Sequence, residues 1–150
     1  MATEIMLNPE IAQAHTTTRA ARHFPTAARV LMGLVFFVFG LNGFLNFLPQ
    51  PATIPEGALA LAGAFMKAGY MFPLIKGTEV IVGVLLLSNR FVPLALAIIA
   101  PVVVNIVAFH AFLAPAGLAV PIVVVALEIY LAWTYRTAYR SMLRATTDLR

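Results

Sequence analysis

The chain alternates between long apolar runs and short polar breaks, and the runs set its architecture. Four of them, residues 30–48, 70–88, 91–113 and 117–135, approach or exceed the roughly 20 apolar residues that carry a helix across a bilayer. The expected fold is therefore all-α: an integral membrane four-helix bundle. The first run is entered from Arg29 and closed by Pro49-Gln50-Pro51. The second has Pro73 in its first turn, where a missing amide donor costs little. Pro101 interrupts the third and predicts a kink or a locally repaired helix. Only Ala114-Pro115-Ala116 separates the third run from the fourth, which makes those helices antiparallel neighbours.

The one long connection, residues 49–69, contains a stretch of helix formers at 56–68 that is too short to cross. It reads as a short interfacial helix between spans one and two, with Glu56 at its positive end. Residues 1–28 form a polar tail with no periodicity that predicts a helix, followed by a membrane domain at 29–140 and a C-terminal tail at 141–150. The first apolar run begins only at Val30 and is long enough to span, so the N-terminal segment reads as retained rather than as a cleaved signal.

Composition agrees with lipid as the solvent. The chain is 61% hydrophobic and 11% charged, against roughly half and a quarter in soluble domains, and 150 residues leave no room for a separate soluble catalytic domain. The net charge of +4 does not point to nucleic acid, because the arginines sit at the edges of apolar runs. Arg19, Arg22, Arg29, Arg90, Arg136, Arg140, Arg144 and Arg150 fall on one side of the expected bundle, and Lys67 alone on the other. The positive-inside rule then places both termini in the cytoplasm and the long connection outside, with a bacterial inner membrane as the expected setting. Tyr130, Trp133, Tyr135 and Tyr139 fit an aromatic belt at the inner end. With no cysteine, the chain has no disulfide, thiol redox chemistry or iron–sulfur ligation of its own.

Ionisable groups are costly inside a bilayer and turn toward the bundle interior or a wet cavity. Lys76 and His110 fall in the outer half of their spans, and Glu79 and Glu128 near the middle. Lys76 and Glu79, three apart on one helix, can neutralise each other, either as a proton-handling or ligand-anchoring pair or as a structural ion pair. Glu128 has no charged neighbour on its own helix, which favours a neutral carboxyl hydrogen-bonded to another helix. His110 suits an ordinary interfacial role, a proton relay, a quinone hydrogen-bond donor or an axial ligand. Asn42, Asn46 and Asn105 supply further polar candidates, for a ligand head group or for tying helices together. The five phenylalanines of the first span suit a quinone, lipid or pigment ring as well as they suit plain packing. Arg136, Arg140 and Arg144 recur every fourth residue, so a continued helix would offer a basic stripe to anionic lipid or to an acidic partner.

The chain has no phosphate-binding glycine–lysine loop, dinucleotide glycine fingerprint or paired-histidine zinc motif. One histidine within a span does not clamp a haem from both sides, no metal site is expected, and no strict GxxxG is present.

The opening of span one, Arg29-Val-Leu-Met-Gly-Leu-Val-Phe-Phe-Val-Phe-Gly, the long outer loop, and Lys76-Gly77-Thr78-Glu79 leading into Gly83-Val-Leu-Leu-Leu together resemble the DoxX family. The resemblance covers about residues 29–140. It implies a four-helix membrane protein, in a family linked to quinone-dependent sulfur or thiol oxidation and membrane redox assemblies, with Glu79 at the position of the family's second-span glutamate. Three functions are therefore expected in turn. The first is a non-catalytic subunit of a larger redox or energy-converting complex, respiratory or photosynthetic, that stabilises it or docks a quinone or lipid. The second is a quinone-reactive oxidoreductase subunit using Glu79 and Lys76, and the third a small transporter or lipid-handling protein. Membrane lipid and other membrane subunits are the expected partners, no cofactor is intrinsic, and any quinone or pigment would be shared with them.

Overall fold

The computed structural model describes residues 9–49, 53–140 and 142–143, with side chains from residue 23 onward. All its regular structure is helical: α1 (Pro9–Leu45), α2 (Glu56–Lys67), α3 (Met71–Leu87), α4 (Val92–Leu113) and α5 (Ala119–Thr134), with 3-10 turns at Pro115–Gly117 and Arg136–Tyr139. His23–Leu45 and Val92–Leu113 are long and apolar enough to cross a membrane. α2 and α3 together form an apolar pair bent by 93°, and α5 is a shorter apolar helix.

α1 starts at Pro9, whose missing amide is harmless in a first turn, and runs unbroken through Pro25 into the apolar segment. Much of the polar tail expected to lack regular structure is thus continuous with the first long helix. At its other end Asn46 takes a left-handed conformation (φ 50°), donates its amide to the Asn42 carbonyl at 2.8 Å, and stops the helix. α2 ends at Lys67, and two residues on Gly69 (φ 78°) permits the turn into α3 because it has no side chain. α4 passes through Pro101 as one helix.

α1 packs against α3 and α5, and α4 packs against the same two, so the four longer helices close into a ring with α1 and α4 on its diagonal. Their inward positions follow helical spacing: Ala28, Met32, Phe36 and Gly40 on α1; Glu79, Val82, Gly83 and Leu86 on α3; Val92, Leu96, Ile99 and Val103 on α4; Val124, Glu128 and Leu131 on α5. The outward faces are apolar too, carrying Leu34, Phe44, Ile81, Ile98, Val104 and Ile129. Polarity is inverted relative to a water-soluble bundle, since Arg29, Glu79 and Glu128 are all buried.

The α1–α3 seam is closest where side chains are absent. A Cβ on Gly83 would lie 2.6 Å from the Phe37 backbone nitrogen, and one on Gly40 would lie 2.9 Å from that of Val80. The absence of GxxxG therefore does not mean an absence of glycine-mediated packing. The contacts sit at Gly33 and Gly40, seven residues apart, and the partner is α3 of the same chain.

Arg29 is only 7% exposed, and its guanidinium donates to the Leu86 carbonyl and, at 3.4 Å, to that of Leu87. α3 ends at Leu87, and in the turn that follows the Arg90 amide donates to the Leu85 carbonyl at 3.0 Å. Arg29 adds a second donor to the Leu86 carbonyl, which also accepts the Asn89 amide at 3.2 Å, and reaches the Leu87 carbonyl at the negative end of the helix dipole. It is a cap on another helix as well as a cation flanking a span. Arg29→Met is expected to cost about 1–3 kcal/mol by removing these charge-assisted bonds, and Arg29→Lys to recover only part, for want of the planar fork. Thermal unfolding in detergent reads both.

Candidate functional site

A cavity of about 360 Å³ opens between all four ring helices, at the end of the bundle that carries α2. Its walls are Val35, Phe36 and Phe39 from α1, Ile106 from α4, and Val120, Pro121 and Val124 from α5. Lys76 and Glu79 from α3, and His110 from the last turn of α4, supply its polar groups. Three of the ionisable residues singled out in the sequence thus meet in one place, although α3 and α4 contribute them separately.

The Lys76 ammonium lies 2.8 and 3.0 Å from the two Glu79 carboxylate oxygens. Glu79 is 3% exposed, so the bond to Lys76 is what offsets the loss of water around its charge. The lysine stem crosses α1 at Gly43, where a Cβ would come within 2.5 Å of its Cγ and Cδ. His110 is seated in the same way. Its Nδ1 lies 2.8 Å from the Ile106 carbonyl, and its Cδ2–Nε2 edge lies where a Cβ on Gly117 would reach, at 2.8 and 3.1 Å. Neither glycine has a left-handed φ, so close approach is what these positions require. A carbonyl only accepts, so Nδ1 is the protonated nitrogen, and a neutral His110 offers Nε2 as an acceptor rather than a donor.

The other sequence candidates lie elsewhere. Asn42 is engaged in ending α1: its Oδ1 accepts the Leu48 amide at 2.7 Å. Asn46 is exposed at the same helix end, and Asn105 is exposed on the outward face of α4. Glu128 is 9% exposed but sits in the core outside the cavity lining, and its Oε2 finds no hydrogen-bond partner among the described residues. The bond to another helix expected for this carboxyl is not made by that oxygen.

At the opposite end of the ring, Arg136 and Arg140 of the fourth-residue arginine repeat are not carried on an α-helix. α5 stops at Thr134, and Arg136–Tyr139 is a 3-10 turn. Arg136 lies 5.1 Å from the centre of the Trp133 ring and donates to the Trp133 carbonyl at 3.0 Å. Arg140 is exposed, while Arg144 lies outside the described residues. Of the expected aromatic belt, Trp133 is exposed, whereas Tyr130 meets the Phe24 ring edge-on at 4.9 Å. Tyr139 donates its hydroxyl to the Pro93 carbonyl at 2.9 Å. Burial, and after it the charge of Glu128, holds the Tyr139 hydroxyl above the usual phenol range, so it remains a donor.

Sequence reasoning missed Arg29 as a cap and the two glycines that seat Lys76 and His110. The signal available for Gly43 and Gly117 was their occurrence beside a span's polar residue and in a tight interhelical turn. Compared with protein-family models, curated proteins and solved structures, the chain matches none of them.

Proposed function

We propose that this chain is a four-span integral membrane subunit, with both termini cytoplasmic, that docks a quinone in the outer half of its bundle within a larger redox or energy-converting complex. The observation that carries this reading is the cavity: apolar and aromatic walls, an ion pair and a single imidazole converging in a volume of about 360 Å³. That volume lies within the roughly 300–1,000 Å³ of small-ligand sites, which combine greasy walls with a few placed polar groups. A ring with polar oxygens and an apolar tail fits such a lining better than a hydrophilic solute does.

Four crossings are supported by the closed ring and by the inverted polarity. α3 and α5, at 17 and 16 residues, are each about 25 Å long, short of a hydrocarbon core of about 30 Å by an amount that local thinning and flanking turns accommodate. α2, at 93° to α3, suits a helix lying in the interface. With Arg29 engaged in capping, Arg90, Arg136 and Arg140 still leave the exposed cations at one end and Lys67 at the other, as the positive-inside orientation in a bacterial inner membrane requires. The DoxX resemblance points to a redox setting. The absence of cysteine argues against a self-contained thiol mechanism, which favours a docking module over a thiol-dependent oxidoreductase.

The test is extraction of the tagged protein from its native membrane in mild detergent, followed by native electrophoresis and mass spectrometry of bound small molecules. The expected result is migration with a larger assembly and a stoichiometric quinone. Migration at the monomer's own mass with phospholipid alone would remove the support for both parts of the reading. Loss of partner-driven quinone turnover in Glu79→Gln, with quinone still bound, would move the protein to the alternative role of quinone-reactive oxidoreductase subunit.

A further inference from the structure

The polar groups facing the cavity differ in what they can do, and that difference constrains the ligand. His110 has its Nδ1 hydrogen committed to the Ile106 carbonyl at 2.8 Å, so in the neutral form of the ring Nε2 presents a lone pair. Lys76 uses hydrogens on the two Glu79 oxygens, at 2.8 and 3.0 Å, and keeps a third for another acceptor. With that ring neutral, the cavity pairs one acceptor with one donor, on helices α4 and α3.

We infer that this site selects a ring amphiphile whose head carries a hydroxyl donor, a quinol or phenol, over the oxidised quinone. This rests on the reading that the cavity docks a quinone-type head. A quinone carbonyl only accepts: it satisfies Lys76 but leaves His110 Nε2 facing an acceptor or an apolar wall. A quinol hydroxyl donates to Nε2, while an oxygen of the same head accepts from Lys76. Both groups are half-buried, and a placed polar group left without its matching hydrogen lowers affinity for an analogue that lacks it. Gly117 is the positioning residue, because any side chain there would push the imidazole edge out of place.

The experiment measures equilibrium binding to the purified full chain in nanodiscs, without oxygen, using a short-tailed benzoquinol, its benzoquinone and the quinol's dimethyl ether. The quinol is expected to bind about tenfold more tightly than the other two, the ether failing because it keeps the ring and loses both hydrogens. His110→Phe should bring quinol affinity down to that of the quinone. Gly117→Ala, which leaves the imidazole chemistry intact, should reduce quinol affinity selectively. Equal affinity for all three probes in the wild-type chain would overturn the selectivity while leaving quinone docking in place. Binding of none of them would overturn the docking reading and this inference with it. The comparison among probes uses the unaltered protein, so it holds even where a variant fails to fold.

Discussion

Gly83→Ala is expected to destabilise the bundle by about 3 kcal/mol, and Gly83→Val to prevent its assembly. The added Cβ would lie 2.6 Å from the Phe37 nitrogen and 2.8 Å from its Cα, so it meets backbone, which cannot rotate away. Relief requires separating α1 from α3, the most extensive helix pair of the fold. Gly77 supplies the control. It lies on the same helix, a Cβ there meets nothing within 4 Å, and Gly77→Ala should be neutral or stabilising by up to about 1 kcal/mol. Thermal unfolding in one detergent compares the two directly. Similar melting temperatures for Gly77→Ala and Gly83→Ala would show that the seam is not as tight as described.

Lys76→Met carries the second large effect, because it leaves a carboxylate with 3% exposure and no cation beside it. Breaking a buried pair from one side costs about 3–5 kcal/mol, whereas replacing both members with apolar groups of similar size is often close to neutral. Lys76→Met alone should therefore lower stability sharply, and Lys76→Met with Glu79→Met should regain most of the loss. The double-mutant cycle should give a coupling of about 2–3 kcal/mol. If the double variant loses the sum of what Lys76→Met and Glu79→Met lose singly, the pair is not coupled, and Glu79 draws its support from elsewhere. Quinone content measured on the same samples separates a structural pair from a ligand anchor, since the double variant keeps the helix turned inward but loses the donor.

The helices from α2 onward were legible because breakers bound them. Gly69, Asn89 and Pro115 stand where the chain turns, and the observed ends of α3 and α4 fall within a residue of the expected runs. The start of α1 was not legible: before Arg29 the helix has no apolar stripe, and its continuity comes from the segment that follows. Candidate site residues stood out as ionisable groups in apolar runs, which is why Lys76, Glu79 and His110 were found. That they converge, while Glu128 and Asn105 face elsewhere, depends on the rotation of each helix, and helices apolar on every face hide that rotation from the sequence. Asn42 illustrates the reverse case. Its four-residue spacing to Asn46 was visible, yet the physical reason for it is a helix end, where a side-chain oxygen accepts the Leu48 amide. Arg29 and the carbonyl of Leu86 are 57 residues apart, and only the folded chain brings them together.

The absence of native cysteine makes the placement of the bundle directly testable. Single cysteines at Ala60 on α2, Ser88 after α3 and Ala116 between α4 and α5, all exposed positions, can be labelled with a membrane-impermeant maleimide in intact spheroplasts and again after permeabilisation. Four crossings with cytoplasmic termini require Ala60→Cys and Ala116→Cys to label from outside, and Ser88→Cys only once the membrane is opened. Labelling of Ser88→Cys in intact cells, or protection of Ala116→Cys, would contradict the four-span bundle with cytoplasmic termini and with it the outward-facing pocket at Lys76, Glu79 and His110.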